Sequence, residues 1–222
     1  MRWNARKGYD LLIIFLLQLI APAIGVLLWL AMGGTPDHLE AYAFILSPPL
    51  SLLVLLSVLT VRRRMGEVKD LFRPVPSGKE LLLWGGGGAL LAALAGEGSA
   101  YLLSFWIPLQ ENNPLVTDSE AFTRPLLVAL FVSAGLLAPI GEELYYRGLL
   151  LDFLRPLGTW GAAFLSSLLF GLAHGLLTLL IPLFLVGLVL ALLRVYQGTL
   201  WPSVMAHSLF NLASLTLALV GG

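Results

Sequence analysis

Residues 139–148 read Pro-Ile-Gly-Glu-Glu-Leu-Tyr-Tyr-Arg-Gly and place two carboxylates and a guanidinium inside an otherwise apolar part of the chain. Upstream, residues 122–138 carry a single charge, Arg124, and three leucines follow downstream at 149–151. A charged side chain at the centre of a bilayer costs about 2.5–3.5 kcal/mol on insertion scales, so such groups are rare in membrane spans and usually functional. The stretch therefore predicts a membrane helix that carries a functional site.

Helical geometry gives the three charged groups different roles. Glu143 and Arg147 are four residues apart, so they share a helix face and can form an ion pair. Glu142 lies about 100° further around the helix. A Glu–Arg pair that only locks two helices is the simplest alternative, but it leaves Glu142 unpaired in a region of low dielectric constant. We therefore expect Glu143 and Arg147 to support the site and Glu142 to be available for chemistry. Pro139 lacks an N–H and should disturb the turn before the acids.

Composition places the whole chain in a membrane. Of its 222 residues, 58% are hydrophobic and 12% are charged, with a mean hydropathy of +0.89, whereas soluble domains are about 25% charged. This composition predicts an all-α, polytopic transmembrane helical bundle of about seven spans, forming one integral membrane domain over residues 1–222. The net charge is zero, so nothing points to a nucleic-acid partner. The absence of cysteine excludes disulfides, thiolate metal sites and a cysteine nucleophile.

Apolar segments divide the chain into seven predicted spans, near 11–32, 42–61, 81–106, 122–153, 160–177, 180–195 and 201–220. The first three spans make up residues 1–106, and the last four make up a catalytic core at 122–220. Four consecutive glycines at 85–88 predict a position where another helix approaches closely.

The distribution of charged loops predicts the orientation. The N-terminus and residues 62–79 are basic, whereas residues 107–121 contain acids and no lysine or arginine. Basic loops stay cytoplasmic, so the site near Glu142, within about 15 Å of the inner end of its helix by helical rise, should open towards the cytoplasm. The same rise puts His174 about 20 Å deep if its helix begins near Trp160, deeper than Glu142 and His207. Either that helix begins outside the lipid, or the predicted boundary is wrong. Short loops and the lack of cysteine favour a prokaryotic membrane.

Two histidines occur inside predicted spans, each with a neighbour on its own helix face. His174 follows Phe170 by four residues, and His207 precedes Asn211 by four. Taken singly, each histidine is more simply a hydrogen-bonded packing residue, and Phe170 a core residue. Together with an acid pair on another helix, they predict a catalytic pocket.

Missing motifs narrow the chemistry of that pocket. The sequence has no phosphate-binding Gly-Lys-[Ser/Thr] loop, no His-Glu-x-x-His zinc helix and no Gly-x-Ser-Gly segment. What remains is a carboxylate and histidines acting on water. Glu142 can serve as general base with His174 holding the water, while His207 and Asn211 can hydrogen-bond the oxyanion of a peptide carbonyl.

Three motifs in order, Glu-Glu-x-x-x-Arg at 142–147, Phe-x-x-x-His at 170–174 and His-x-x-x-Asn at 207–211, resemble the CPBP family of intramembrane proteases. That family includes type II CAAX prenyl endopeptidases and bacterial bacteriocin-processing or self-immunity proteins. The resemblance implies an endopeptidase that acts on membrane-associated peptides, prenylated CAAX-type peptides among them. It also implies a catalytic set of Glu142, His174, His207 and Asn211.

The need for a metal stays open at this stage, because family members are described both as metalloproteases and as metal-free glutamate enzymes. Glu142, His174 and His207 could be three ligands of a zinc ion. We favour the metal-free mechanism, with no cofactor, because Asn211 beside His207 suits hydrogen bonding better than ligation.

Two non-enzymatic alternatives remain. Glutamate and histidine inside a membrane also suit an ion relay in a transporter, although the sequence shows no duplicated halves of the kind transporters often have. A family member that binds without cleaving, such as an immunity protein, is the other alternative.

Overall fold

The computed structural model describes residues 5–31, 33, 39–109 and 122–221, and no β-strand occurs among them. Within this part, six helical stretches are long and apolar enough to cross a membrane. The predicted all-α polytopic fold is thereby confirmed. Most of the acidic segment 107–121 lies outside the described residues, as do residues 1–4 and the C-terminal Gly222.

The helices follow the predicted spans closely, with ends that differ by a few residues. They are α1 (Ala5–Ala31), α2 (Leu39–Val61), the short α3 (Met65–Leu71), α4 (Gly78–Ser104), α5 (124–154), α6 (Gly158–Ala173), α7 (Leu180–Gln197) and α8 (Trp201–Gly221). The first helix begins at Ala5 and not near 11, and the fifth predicted span stops at Ala173 and not near 177. Gly175 has a left-handed φ of 70°, which ends the helix, and a short 3₁₀ turn at Leu177–Leu179 leads into α7.

One continuous stretch, Arg124–Ala173, accounts for two of the predicted spans. Its 50 residues would extend about 75 Å as a straight helix, more than twice the roughly 30 Å hydrocarbon core. A 3₁₀ turn at Arg155–Leu157 interrupts it, and Gly158 adopts a φ of 80° that favours glycine. Helices α5 and α6 are therefore separate elements joined by a tight turn.

Three segments of the described helices wind as π-helix, with hydrogen bonds from i to i+5: Leu82–Gly86, Ser133–Leu137 and Glu143–Leu150. The second precedes Pro139, which can donate no backbone hydrogen bond and crowds the carbonyl four residues earlier. The disturbed turn predicted before the acids is therefore present. The third runs through the charged stretch itself, and π-helical segments are rare and frequent at functional sites.

Packing divides the chain into two compact units. The first includes residues 66–109 and 142–210 of the described part. Here α4, α7 and α8 approach closely, because a Cβ on Gly88 would lie 2.4 Å from Leu193 Cδ1 and one on Gly85 would lie 2.7 Å from Met205 Sδ. A Cβ added at Gly86 or Gly87 would meet no atom within 4 Å. The close approach predicted for residues 85–88 is therefore present at two of the four glycines.

The second unit includes residues 6–65, 122–141 and 211–221 of the described part. Asp10 on α1 forms ion pairs with Arg62 at 3.0 Å and Arg64 at 3.3 Å. The hydrophobic core of this second unit contains Ile45, Leu130 and Leu215. These two units differ from the predicted parts 1–106 and 122–220. That residues 1–222 form one integral membrane domain remains a prediction.

Candidate active site

The ion pair predicted from spacing is present and completely buried. Arg147 Nη1 donates to Glu143 Oε1 at 2.9 Å, and both side chains have 0% exposure. Arg147 Nη2 donates to the carbonyl of Gly187 on α7 at 3.2 Å, and the guanidinium carbon lies 4.2 Å from the ring centroid of Phe170. Buried charges need this degree of compensation, so Arg147 is fixed by contacts with three helices.

Glu143 also holds His207, a contact that sequence analysis missed. His207 Nδ1 lies 2.9 Å from the same Oε1 atom that accepts from Arg147. A carboxylate paired with arginine only accepts hydrogen bonds, so Nδ1 carries a proton and donates it to Glu143 Oε1. This leaves Nε2 facing the other acid, 3.8 Å from Glu142 Oε2.

Glu142 and Glu143 differ sharply in accessibility. The side chain of Glu142 is 33% exposed, whereas that of Glu143 is 0% exposed. Of the two acids, only Glu142 is therefore accessible from outside the protein. This agrees with the division of roles expected from the sequence, although the roles themselves remain predictions.

Phe170 is buried, and its ring contacts both histidines; its supporting role in the site stays a prediction. Its ring centroid lies 4.8 Å from that of His174 and 5.7 Å from that of His207, both edge-to-face. On its other side it meets Tyr146 at 5.4 Å. Edge-to-face aromatic pairs are favourable beyond the area they bury, so Phe170 fixes the position of both imidazoles.

His174 caps the C-terminus of α6. Its Nδ1 lies 2.8 Å from the carbonyl oxygen of Phe170, which accepts only, so Nδ1–H donates and Nε2 keeps its lone pair. The depth of about 20 Å predicted for His174, greater than that of Glu142 and His207, stays a prediction. Helices α5 and α6 are antiparallel neighbours, and Phe170 contacts Tyr146. His174 lies one turn after Phe170, and Glu142 lies one turn before Tyr146. Because the two helices run in opposite directions, His174 and Glu142 lie at a similar level.

Asn211 belongs to the second unit. Its side-chain amide donates to the carbonyl oxygen of Ala134 at 2.9 Å, which uses one of its two N–H groups. Its place in the catalytic set rests on its spacing from His207 along α8 and remains a prediction.

In the part of the chain that the structure describes, no three histidine, aspartate or glutamate side chains are arranged to hold a metal ion. Glu142, His174 and His207 as zinc ligands therefore stay a sequence-based alternative. No step of the mechanism proposed below uses a metal.

Residues 124–213 match the family model described as "Type II CAAX prenyl endopeptidase Rce1-like". The matched segment contains all three motifs, from the Glu-Glu pair to Asn211. This match supports membership of the CPBP family. The matched segment supplies every candidate residue of the site.

A curated relative is also similar to part of the chain. Over 90 residues the chain is 37% identical to "Uncharacterized 24.3 kDa protein" of Escherichia coli, a match that covers 37% of this chain and 41% of the relative. The similarity thus spans less than half of the relative's length. No solved structure matches the chain.

Proposed function

We propose that this protein is an intramembrane endopeptidase that hydrolyses a peptide bond of a membrane-associated substrate with water activated by Glu142. The observation that carries the proposal is an accessible carboxylate, Glu142, set 3.8 Å from His207 Nε2 beside a fully buried Glu143–Arg147 pair. Membership of the matched segment in a family described as endopeptidases supports the reaction class.

Glu142 acts as the general base. The Glu142 carboxylate takes one proton from the water molecule. His174 Nε2 accepts a hydrogen bond from the second O–H of the water, which directs a lone pair of the water oxygen towards the substrate. The water oxygen bonds to the peptide carbonyl carbon and gives a tetrahedral intermediate. Glu142 then delivers the proton to the nitrogen of the leaving amine as the carbon–nitrogen bond breaks, which restores the carboxylate.

His207 donates to the oxyanion in this proposal, and that role sets its protonation state. Because Nδ1–H is held by Glu143, a donor at Nε2 requires the imidazolium form. Two carboxylates and one arginine leave a net negative charge, and the imidazolium balances it, as buried charges require. Asn211, one turn further along α8, is the second proposed donor.

The site is proposed to face the cytoplasm of a prokaryotic cell. Arg155 lies in the turn between α5 and α6, and Arg194 lies in the last turn of α7, at the chain positions where the positive-inside rule expects a cytoplasmic face. Both approach Asp152, at 2.9 and 3.9 Å.

Replacement of the wild-type protein by Glu142→Ala in its host tests the function. Membrane peptides and new N-termini are compared by mass spectrometry, with Glu97→Ala, an exposed acid on α4, as the matched control. We expect specific uncleaved peptides to accumulate with Glu142→Ala alone. Identical peptide sets in all three strains would refute the proposal.

Synthetic peptides of an accumulating sequence, with and without a prenylated cysteine, then identify the substrate class. Preference of the purified enzyme for the prenylated form would support a CAAX-type substrate. Equal cleavage of both forms would make the prenyl group irrelevant.

A further inference from the structure

The turn between α6 and α7 follows directly on His174, and the mechanism above gives it no role. Gly175 has a left-handed φ of 70°, and Leu176 is extended, with φ −103° and ψ 89°. Residues 177–179 then form the 3₁₀ turn that leads into α7. An extended residue therefore lies two positions beyond the histidine that is proposed to hold the water.

The two helices hold this turn closely at both ends. A Cβ on Gly171 would lie 3.2 Å from the carbonyl oxygen of Leu180 and 3.3 Å from the backbone nitrogen of Phe184. The end of α6 and the start of α7 are thus in backbone contact. Further along, the rings of Phe164 and Phe184 pack edge-to-face at 5.1 Å. The turn is therefore anchored next to His174.

Helix lengths predict that the turn lies inside the hydrocarbon region. Helix α6 has 16 residues and rises about 24 Å, and α7 has 18 residues and rises about 27 Å. The hydrocarbon core is about 30 Å thick. Arg155 before α6 and Arg194 near the end of α7 both approach Asp152, so the two helices share one membrane surface and meet below the other. Irregular backbone at such depth is tolerated only where protein buries it or where it lines a water-filled cavity.

The backbone N–H of Leu177 is a donor left over in this turn. The peptide unit that joins Leu176 to Leu177 is planar and trans, so its C=O and N–H point in opposite directions. Its C=O accepts from the N–H of Leu179 at 3.0 Å, so its N–H points away from the 3₁₀ turn. Among the residues that the structure describes, no backbone carbonyl accepts from this N–H. Leu177 is also 75% exposed, so the protein does not bury it.

We propose that Leu177 binds the main chain of the substrate. The peptide lies extended beside Leu176, and one of its carbonyl oxygens accepts a hydrogen bond from the N–H of Leu177. Exposed backbone commonly binds an extended peptide in this way. Because the donor lies three residues after His174, the bound peptide passes the proposed site of the water. This inference rests on the proposed endopeptidase function and adds that the substrate is held through its backbone.

Proline at position 177 removes the N–H and suits the turn. Residue 177 is the first of a 3₁₀ turn, where φ is about −60° and matches the value that proline imposes. Leu176 already has the extended backbone that is favoured before a proline. Leu177→Ala is the matched comparison, because it removes the same side chain and keeps the N–H.

We expect the KM of Leu177→Pro to exceed that of Leu177→Ala about fivefold, the value of one hydrogen bond. The two variants should have equal kcat and equal unfolding temperatures, because the lost contact is the same in the bound substrate and in the transition state. The kinetic substrate is a synthetic peptide whose cleavage depends on Glu142. Equal KM values in the two variants would overturn the inference. If Leu177→Pro does not fold, leucic acid at position 177, which lacks the N–H and keeps the side chain, is compared with the wild type instead.

A second measurement locates the acceptor in the substrate. Single peptide bonds other than the scissile one are replaced by esters, whose carbonyl oxygens are weaker acceptors. We expect one of these esters to raise KM for the wild type and for Leu177→Ala but not for Leu177→Pro. Such non-additivity identifies a direct contact. Ester effects that are the same in all three proteins would refute a hydrogen bond from the N–H of Leu177.

These measurements separate the inference from the proposed function. Glu142-dependent cleavage that is indifferent to the N–H of Leu177 refutes only the binding of the substrate backbone by the turn. Absence of any Glu142-dependent cleavage by the wild-type protein refutes the endopeptidase, and the role of Leu177 with it.

Discussion

The imidazole of His207 is anchored through Nδ1 to Oε1 of Glu143, at 2.9 Å. The two residues are 64 positions apart, yet this contact decides which nitrogen of the imidazole faces Glu142. Glu143 is thus both half of a buried ion pair and the residue that orients a proposed oxyanion donor.

Alanine substitutions should separate the two acids. Glu142→Ala should abolish turnover and leave the unfolding temperature unchanged, because Glu142 is partly exposed and has no role in the buried pair. Glu143→Ala should lower the free energy of unfolding by roughly 3–5 kcal/mol, since it leaves the Arg147 charge buried without a partner. Stability is measured by unfolding in detergent and activity by peptide turnover. Identical stability and turnover in the two variants would contradict the separate roles of Glu142 and Glu143.

A double substitution should restore stability without activity. Replacement of a whole buried ion pair by apolar residues is often neutral or stabilising, so Glu143→Leu combined with Arg147→Leu should recover most of the stability lost in either single variant. His207 would still lack its Nδ1 acceptor, so turnover should stay low. Recovery of turnover together with stability would show that Glu143 does not position His207.

Gly187→Ala should disturb the site through the backbone of α7. A Cβ there would lie 3.1 Å from Arg147 Nη2 and 3.1 Å from Phe170 Cδ1, and overpacking of this kind costs about 1–3 kcal/mol. Gly98→Ala on α4 is the control, because a Cβ at Gly98 meets no atom within 4 Å. We expect reduced turnover and stability for Gly187→Ala only, by the same two assays.

Single cysteines should report the orientation, since the native chain has no thiol. Val75 is a suitable position in the basic loop, because it is 73% exposed and precedes Ser77, which caps a helix through Glu80. Trp106 is exposed at the opposite end of α4, about 40 Å away by helical rise. Membrane-impermeant reagents on intact cells should label Trp106→Cys and leave Val75→Cys unlabelled; the reverse pattern would overturn the topology.

Hydrolysis should persist after exhaustive chelation, with metal content measured on the same sample. In the metal-free mechanism, Asn211→Ala should keep a residual turnover rate about 10²–10³-fold below wild type, as expected for the loss of one oxyanion donor. Activity that disappears with the metal and returns with zinc would instead identify Glu142, His174 and His207 as ligands.

Local spacing explains what the sequence could predict. Glu143 and Arg147 share a face of one helix, so four residues of separation suffice to predict their contact. The contact of Glu143 with His207 depends on how α5, α7 and α8 pack, which no single segment encodes. One signal at Gly187 was available, because a glycine in the middle of an apolar span often marks a close approach.

The end of α6 carried a signal too. A glycine directly after a helix frequently terminates it, and Gly175 follows His174. The apolar run of leucines beyond it concealed the break, because hydropathy alone does not distinguish a helix from an apolar turn. The π-helical segments were not predictable from the sequence. They depend on whether each backbone N–H bonds to the carbonyl four or five residues earlier, which the hydropathy pattern does not encode.

The π-helical path of residues 143–150 has a consequence for comparing relatives by sequence. A helix bonded from i to i+5 turns less per residue than an α-helix. Deletion of one residue beyond Arg147, such as Leu149, would let this stretch rewind as an α-helix while the flanking turns stay packed. Glu142, Glu143 and Arg147 would keep their spacing, and the span its hydropathy, but the angle between Glu142 and Arg147 around the helix axis would change. We expect such a chain to insert in the membrane and to match all three motifs, but to show no peptide turnover.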